Sequence, residues 1–401
     1  MTTFCPFCWE EIPKGTAAFR CTSNDQVRCP REPDEELRRY QRASEAPQLP
    51  PVTPASKSLL ARSAPKETPC RVCGERANRT VCPACHNDLP VEYLSQQSRS
   101  FSVIGAKESG KSHYLAVLVE HLTGKLNREF RASLSGANDM TRLRYRRDFY
   151  LPLYEREETL EATRPARADA GVREPLIFRL QMGNGKRKSV KAAQLVFFDT
   201  AGEDLAIPAD ASSVDTLDAE AQYIAHTDAT LLLIDPLQIP SVREDVPPEE
   251  LPSSITDPLE VLARVTDLIR RTDGIPEATK IDRPLALAFS KVDAIRDLIG
   301  GDSPVFTSPD HEAGFNLPVA GDIEIEMRDF ADRFLGSNFN AYVDNNWSNA
   351  RYFGLSALGR PPVGYQLAHG ISQQRVEDPV LWFLSEWGLI ATQAERPGSG
   401  N

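Results

Sequence analysis

The chain has 401 residues, enough for two or three domains, and its 41% hydrophobic and 26% charged residues exclude general disorder. A net charge of −11 speaks against broad, non-specific binding to nucleic acid. No apolar run approaches the roughly 18 residues of a membrane-spanning helix, and the Met-Thr-Thr-Phe-Cys start lacks the features of a secretory signal, so no membrane insertion and a cytoplasmic location are expected.

All eight cysteines lie within the first 85 residues. Cys70 and Cys73 form one CxxC pair, Cys82 and Cys85 another, and together they read as a zinc ribbon with four thiolates closing a tetrahedral site. Cys5 and Cys8, with Cys21 and Cys29, read as a second zinc-binding set. Redox CxxC chemistry is the alternative, but it expects one such motif beside a βαβ unit, not three in a short polar stretch. His86 reads as a bystander. Four protein ligands leave no open position, so both sites are expected to be structural and to present a surface. Between the two sets, residues 33–69 hold seven prolines and no glycine, the composition of a semi-rigid spacer with a short helix at Asp34 to Arg42.

Ser100 to Ile104 is a strand-like apolar run. It leads into Gly105-Ala106-Lys107-Glu108-Ser109-Gly110-Lys111-Ser112, which is GxxxxGK[ST], and then into a helical segment from Tyr114 to Leu122. Strand, glycine loop and helix is the setting in which backbone N–H groups cradle a triphosphate. Lys111 would reach the β- and γ-phosphates and Ser112 would ligate Mg²⁺.

Further on, Pro175 to Gln181 and Val190 to Asp199 read as a hairpin around Gly183-Asn184-Gly185. The second strand ends in Asp199-Thr200-Ala201-Gly202-Glu203, where Asp199 would hold the Mg²⁺ shell and the Gly202 N–H would donate to the γ-phosphate. Ala229 to Asp235, Pro284 to Ser290 and Arg351 to Leu355 are further strands. Helices are expected at Pro258 to Arg271, at Asp322 to Gly336 and at Asp378 to Ile390, the last closing against the sheet. The run Pro284 to Ser290 continues into Ser290-Lys291-Val292-Asp293, and the run Arg351 to Leu355 into Ser356-Ala357-Leu358.

In that order, GAKESGKS, DTAGE, SKVD and SAL resemble the P-loop GTPases of the TRAFAC class, the Ras-like and translation-factor-related group. The resemblance covers residues 99–395, with serine where NKxD is commoner. It implies an α/β fold: a mostly parallel sheet with helices on both faces and one antiparallel edge strand, preceded by two small zinc-ribbon modules. It also implies GTP/GDP with Mg²⁺, beside the two Zn²⁺ read from the cysteines, with the Asp293 carboxylate accepting from guanine N1–H and the exocyclic amine, a donor pair that adenine lacks, Lys291 packing over the base and the backbone of Ser356 and Ala357 meeting guanine O6. Zinc ribbons ahead of such a domain look similar to GTPases of bacterial conflict systems, including the double-GTPases. The expected divisions are a zinc-binding module at 1–32, a Pro-rich linker at 33–68, a zinc ribbon at 69–96, the GTPase domain at 97–395 and a flexible tail at 396–401.

The same resemblance asks for a switch-I threonine before the hairpin, for which Thr163 is chosen ahead of Thr159. Where Ras-like enzymes carry a water-orienting Gln, this chain has Glu203. A carboxylate about 4 Å from a phosphate charge is repelled by about 4 kcal/mol at an effective ε of about 20, so slow hydrolysis awaiting a partner is expected. The arginine-rich stretch 138–160 reads as a solvated helix, or else as an effector segment. The leading expectation is a slow GTPase switch whose ribbons dock a protein or, through Lys66, Arg71, Arg76 and Arg79, a nucleic acid. The alternatives are a non-catalytic scaffold with structural nucleotide and a P-loop ATPase.

Overall fold

The computed structural model describes residues 3–13, 15–56, 65–90, 92–94, 97–160, 175–182, 191–199, 224–244, 246, 251–252, 255–307, 311 and 314–393. The first strands are short: β1 (Thr3–Phe4) pairs with β2 (Glu11–Ile12), and β4 (Glu32–Pro33) with β5 (Gln48–Leu49). Around them β3 (Thr16–Cys21), β6 (Val52–Ser56), β7 (Thr68–Pro69) and β8 (Arg76–Val81) form one antiparallel sheet in the order β6-β3-β8-β7. Helix α1 (Glu35–Gln41) starts on an Asp34 N-cap that accepts from the Leu37 N–H.

The expectation of two separate zinc modules joined by a spacer is corrected here. Residues 48–56, placed in the spacer, supply β5 and β6, and β3 and β8 come from the two supposed modules. Neither cysteine segment is long enough to enclose a core, so the segments build one sheet together.

The large sheet follows. Its strands are β9 (Gln97–Gly105), β10 (Ala132–Gly136), β11 (Leu176–Met182), β12 (Lys191–Asp199), β13 (Ala229–Ile234), β14 (Leu285–Phe289) and β16 (Ala350–Gly354), in the order β10-β11-β12-β9-β13-β14-β16. From β12 to β16 every pairing is parallel. The antiparallel strand β11 is not the edge as expected, because β10 pairs outside it. Only Ala132 and Leu134 of β10 are buried, so five residues with one apolar face gave too weak an alternation to be recognised. A small pair, β15 (Phe315–Asn316) with β17 (Thr392–Gln393), lies apart from the sheet.

Central strands bury both faces, which is why they read as continuous apolar runs. Leu231 and Leu233 face one core with Phe101 and Val103; Leu232 and Ile234 face the other with Ile104. The first core is covered by α2 (Lys111–Phe130) and α7 (Asp378–Glu386), the expected closing helix. On the second lie α4 (Pro258–Asp273), α5 (Leu317–Leu335) and α6 (Ser337–Asn346), through Leu262, Met327 and Phe339. Helix α4 has clear stops: Asp257 caps it, Pro258 opens it and left-handed Gly274 ends it.

The zinc module also joins this second core. Cys5, Ile12, Cys85, Leu89 and Tyr93 belong to the apolar cluster of Ile177, Val196 and Ile224. Trp9 stacks on His226 with ring centroids 5.9 Å apart, and the Tyr93 hydroxyl donates to the Phe4 carbonyl at 3.1 Å. Between β10 and β11, helix α3 (Asp139–Tyr145) runs into a wide helical turn at Arg146–Glu155. There Arg142 pairs with Asp139, Arg147 with Asp148 and Arg146 with Glu155, as a solvated helix would. No helix among the described residues is long and apolar enough to cross a membrane.

Candidate nucleotide site and metal centres

β9 ends at Gly105, beside Leu233 in register, and the loop to α2 begins there. A Cβ on Gly105 would meet the Leu233 carbonyl at 2.6 Å, so the turn admits no larger residue. Glu108 and Gly110 take positive φ (66° and 88°), which folds Gly105–Ser112 around the N-terminus of α2. The Lys111 ammonium donates to the Gly105 and Ala106 carbonyls at 2.9 and 2.8 Å, lying across the loop it closes. Lys111 and Ser109 are buried, and the Ser109 Oγ has no hydrogen-bond partner among the described residues. Ser112 is half-buried at the first turn of the helix. Asp199 ends β12 opposite Val103, so its backbone stands beside the strand that feeds the loop.

Ser290-Lys291-Val292-Asp293 lies at the C-terminal end of the neighbouring strand β14. The Ser290 hydroxyl donates to the Ser109 carbonyl at 3.1 Å, so the serine in place of asparagine still ties this motif to the phosphate loop. Lys291 is left-handed (φ 51°), and its ammonium pairs at 2.6 Å with Asp235, whose side chain is fully buried. Asp293 Oδ1 is buried with no hydrogen-bond partner among the described residues. Burial pushes the Asp293 carboxyl up, against the weaker pull of the Ser356 hydroxyl and the Lys291 charge. A buried acceptor without a donor is costly, and a base edge with two N–H groups is a matching partner. Ser356 is buried and tied by its backbone to Gln374, while Ala357 lies half-buried beside it. Thr163, Gly202 and Glu203 lie outside the described residues; Thr159 lies inside them, its N–H bonded to the Tyr365 carbonyl at 2.9 Å.

The eight cysteines form two tetrads, but not as grouped along the chain: Cys5, Cys8, Cys82 and Cys85 make one, and Cys21, Cys29, Cys70 and Cys73 the other. The reason is the antiparallel pairing of β3 with β8. It sets the Cys70–Cys73 turn, before β8, beside the end of β3 at Cys21, and the Cys82–Cys85 turn, after β8, beside the start of β3. Sulfur separations of 3.6 to 3.8 Å recur in both tetrads. Four sulfurs about 2.3 Å from a tetrahedral Zn²⁺ lie about 3.8 Å apart, so both sets fit zinc. The N–H groups of Phe7, Val72 and Ala84 each donate at 3.4 Å to the sulfur two residues earlier, as metal-binding CxxC turns require. His86 is no ligand. Its Nδ1 lies 2.8 Å from Asp34, which also holds Arg20 at 2.8 Å in a buried pair.

Residues 99–333 match the family described as Double-GTPase 2, a span that begins after the last cysteine and includes both the phosphate loop and SKVD. The chain belongs to the Double-GTPase 2 family. A relative from Mycolicibacterium smegmatis, named an ESX-1 scaffolding and assembly protein, SaeC, is 30% identical over 331 residues, covering 77% of this chain and 80% of its own. A crystal structure of a variant of SsGBP is 13% identical with a TM-score of 0.29, covering 73% of this chain and 57% of that one, little more than half its length.

The candidate site contains contacts that the motifs did not announce. Asp235, the partner of Lys291, ends an apolar strand, just as Asp199 does, and that shared pattern was readable. Gln238, whose side-chain amide donates to the Lys107 carbonyl at 2.6 Å, carries no such signal. Nor does His113, the residue after Ser112, whose Nε2 accepts the Leu160 N–H at 3.1 Å. Burial, and then the nearby Lys291 charge, bring the His113 pKa down to about 4.

Proposed function

We propose that this double-GTPase protein is a guanine-nucleotide switch that hydrolyses GTP slowly and docks a protein partner through its zinc module. The observation that carries the reading is the buried Oδ1 of Asp293, which has no hydrogen-bond partner among the described residues, in a loop bonded through Ser290 to the phosphate loop. The residues that would hold the nucleotide are Gly105 to Ser112 around the phosphates, with Lys291, Asp293, Ser356 and Ala357 around the base. Ser112, Asp199 and Thr163 would hold Mg²⁺, which supplies charge neutralisation at the β- and γ-phosphates. Glu203 in place of a water-orienting Gln supports slow turnover. The relative named for scaffolding and assembly supports a protein partner. Arg71, Arg76 and Arg79 pair with Glu32, Glu67 and Asp88, which supports a protein partner over a nucleic acid.

Calorimetry with GTP and ATP in Mg²⁺, on wild type and Asp293→Ala, tests the reading. Selective GTP binding that the substitution abolishes is expected; equal or preferred ATP binding overturns it. A second reading, a scaffold whose nucleotide is structural, is favoured by the packing of the zinc module into the sheet core. It predicts tight GTP binding with no single-turnover hydrolysis, in wild type and in Glu203→Gln alike.

A further inference from the structure

Residues 157–160 are held from two sides. From one side comes the loop that follows the candidate base-binding residues Ser356 and Ala357. The Thr159 N–H donates to the Tyr365 carbonyl at 2.9 Å, and the Leu367 N–H donates to the Glu157 carbonyl at 2.7 Å. That loop is closed on itself, since Ser356 and Gln374 exchange backbone hydrogen bonds and the Ser372 N–H donates to the Leu358 carbonyl at 2.9 Å. From the other side comes His113, on the first turn of the helix that opens at Lys111. Leu160 itself packs half-buried against the core of that helix. One short stretch of backbone is thus bonded both to the phosphate-loop helix and to the loop after Ser356.

We propose that His113 is a positioning residue: by accepting the Leu160 N–H it locks residues 157–160 between the two halves of the nucleotide site and slows nucleotide release. The inference rests on the guanine-nucleotide reading above. It adds a residue that none of the nucleotide-binding motifs includes. The Nε2 of His113 is an acceptor at a fixed distance from the helix backbone, and a glutamine amide oxygen can reach the same place, whereas leucine fills the space without accepting.

The test uses the full-length, zinc-loaded protein as wild type, His113→Leu and His113→Gln. Two quantities are followed: hydrogen exchange of the Leu160 amide in nucleotide-free protein, and release of a fluorescent GDP analogue. Loss of one neutral hydrogen bond should speed both about three- to tenfold in His113→Leu, with His113→Gln within about twofold of wild type. Unchanged Leu160 exchange in His113→Leu overturns the contact. Faster exchange with unchanged GDP release overturns the role in nucleotide retention, as does a faster release in His113→Leu that His113→Gln shares in full. If wild type binds neither GDP nor GTP, the nucleotide reading and the retention role both fail, while the exchange measurement still decides the contact.

Discussion

At the scale of single residues, the candidate site was legible where its chemistry needs a fixed residue type at a fixed spacing. Gly105, Gly110 and Lys111 are such residues, because the loop closes only with a glycine against Leu233 and a lysine lying across its carbonyls. Asp235 sits at the end of an apolar strand, which was readable, but its pairing with Lys291 was not, because ion-pair partners carry no spacing rule. It yields a prediction. Lys291→Ala leaves a fully buried Asp235 with the Leu237 N–H as its one remaining donor among the described residues. Since Lys291 is itself about one-third exposed, the cost should fall below that of a fully buried pair, about 1–3 kcal/mol. Denaturant unfolding of the nucleotide-free protein checks it, and Asp235→Asn combined with Lys291→Ala should recover part of the loss. Asp293 yields a second prediction. Its raised carboxyl pKa means that the protonated form, which cannot accept two N–H groups, is populated at higher pH than for an ordinary aspartate. GDP affinity should therefore fall as the pH drops towards the acid range, with proton uptake on release, and the fall should vanish in Asp293→Asn. Titration calorimetry in two buffers of different ionisation heat measures both.

Among the elements, strands buried on both faces and helices with clear caps were readable, and β10 was not, for lack of a second apolar face. The pairing of cysteines was unreadable for a different reason. Spacing records which cysteines share a turn, while the partner turn is chosen by how β3 lies against β8, a contact between residues about sixty positions apart. The interlaced arrangement has a consequence that two separate ribbons would lack. Each strand of the β3–β8 pair runs from one tetrad to the other, so losing one metal loosens the frame of both. Cys82→Ser, in the tetrad with Cys5, Cys8 and Cys85, should cut bound zinc from two per chain to one or fewer. It should also make Cys70 and Cys73, in the intact tetrad, alkylate faster than in wild type. Zinc content and alkylation by mass spectrometry report both. Independent modules would keep Cys70 and Cys73 fully protected.

Across the whole molecule, the phosphate-loop helix is fastened to the last helix by buried charge. The Lys125 ammonium lies 2.5 Å from Glu377, and His121 lies 3.2 Å from the same carboxylate. One residue on, Asp378 holds Arg375 and His311, each at 3.0 Å. His311, Glu377 and Asp378 are close enough to resemble a metal-binding trio, but Lys125 and Arg375 already supply the positive charge, so the cluster is an ion network. Burial alone would raise Glu377; the hydrogen bond and charge of His121, then the Lys125 charge, outweigh it and bring its pKa down to about 2. Its unfolded value is about 4.3, so the ionised form is favoured by folding. The stabilisation is complete above about pH 4.3 and is lost as the pH falls towards about 2, a swing of about 3 kcal/mol. Thermal unfolding between pH 7 and pH 2.5 should therefore show a steep acid limb in wild type. In Glu377→Gln the limb should be shallower and the neutral-pH Tm lower, because Lys125 keeps a buried charge with only the more distant Glu129 carboxylate, at 3.6 Å, to balance it. Equal acid limbs in the two proteins would mean that other carboxylates set the acid stability, and that this network does not fasten the two helices.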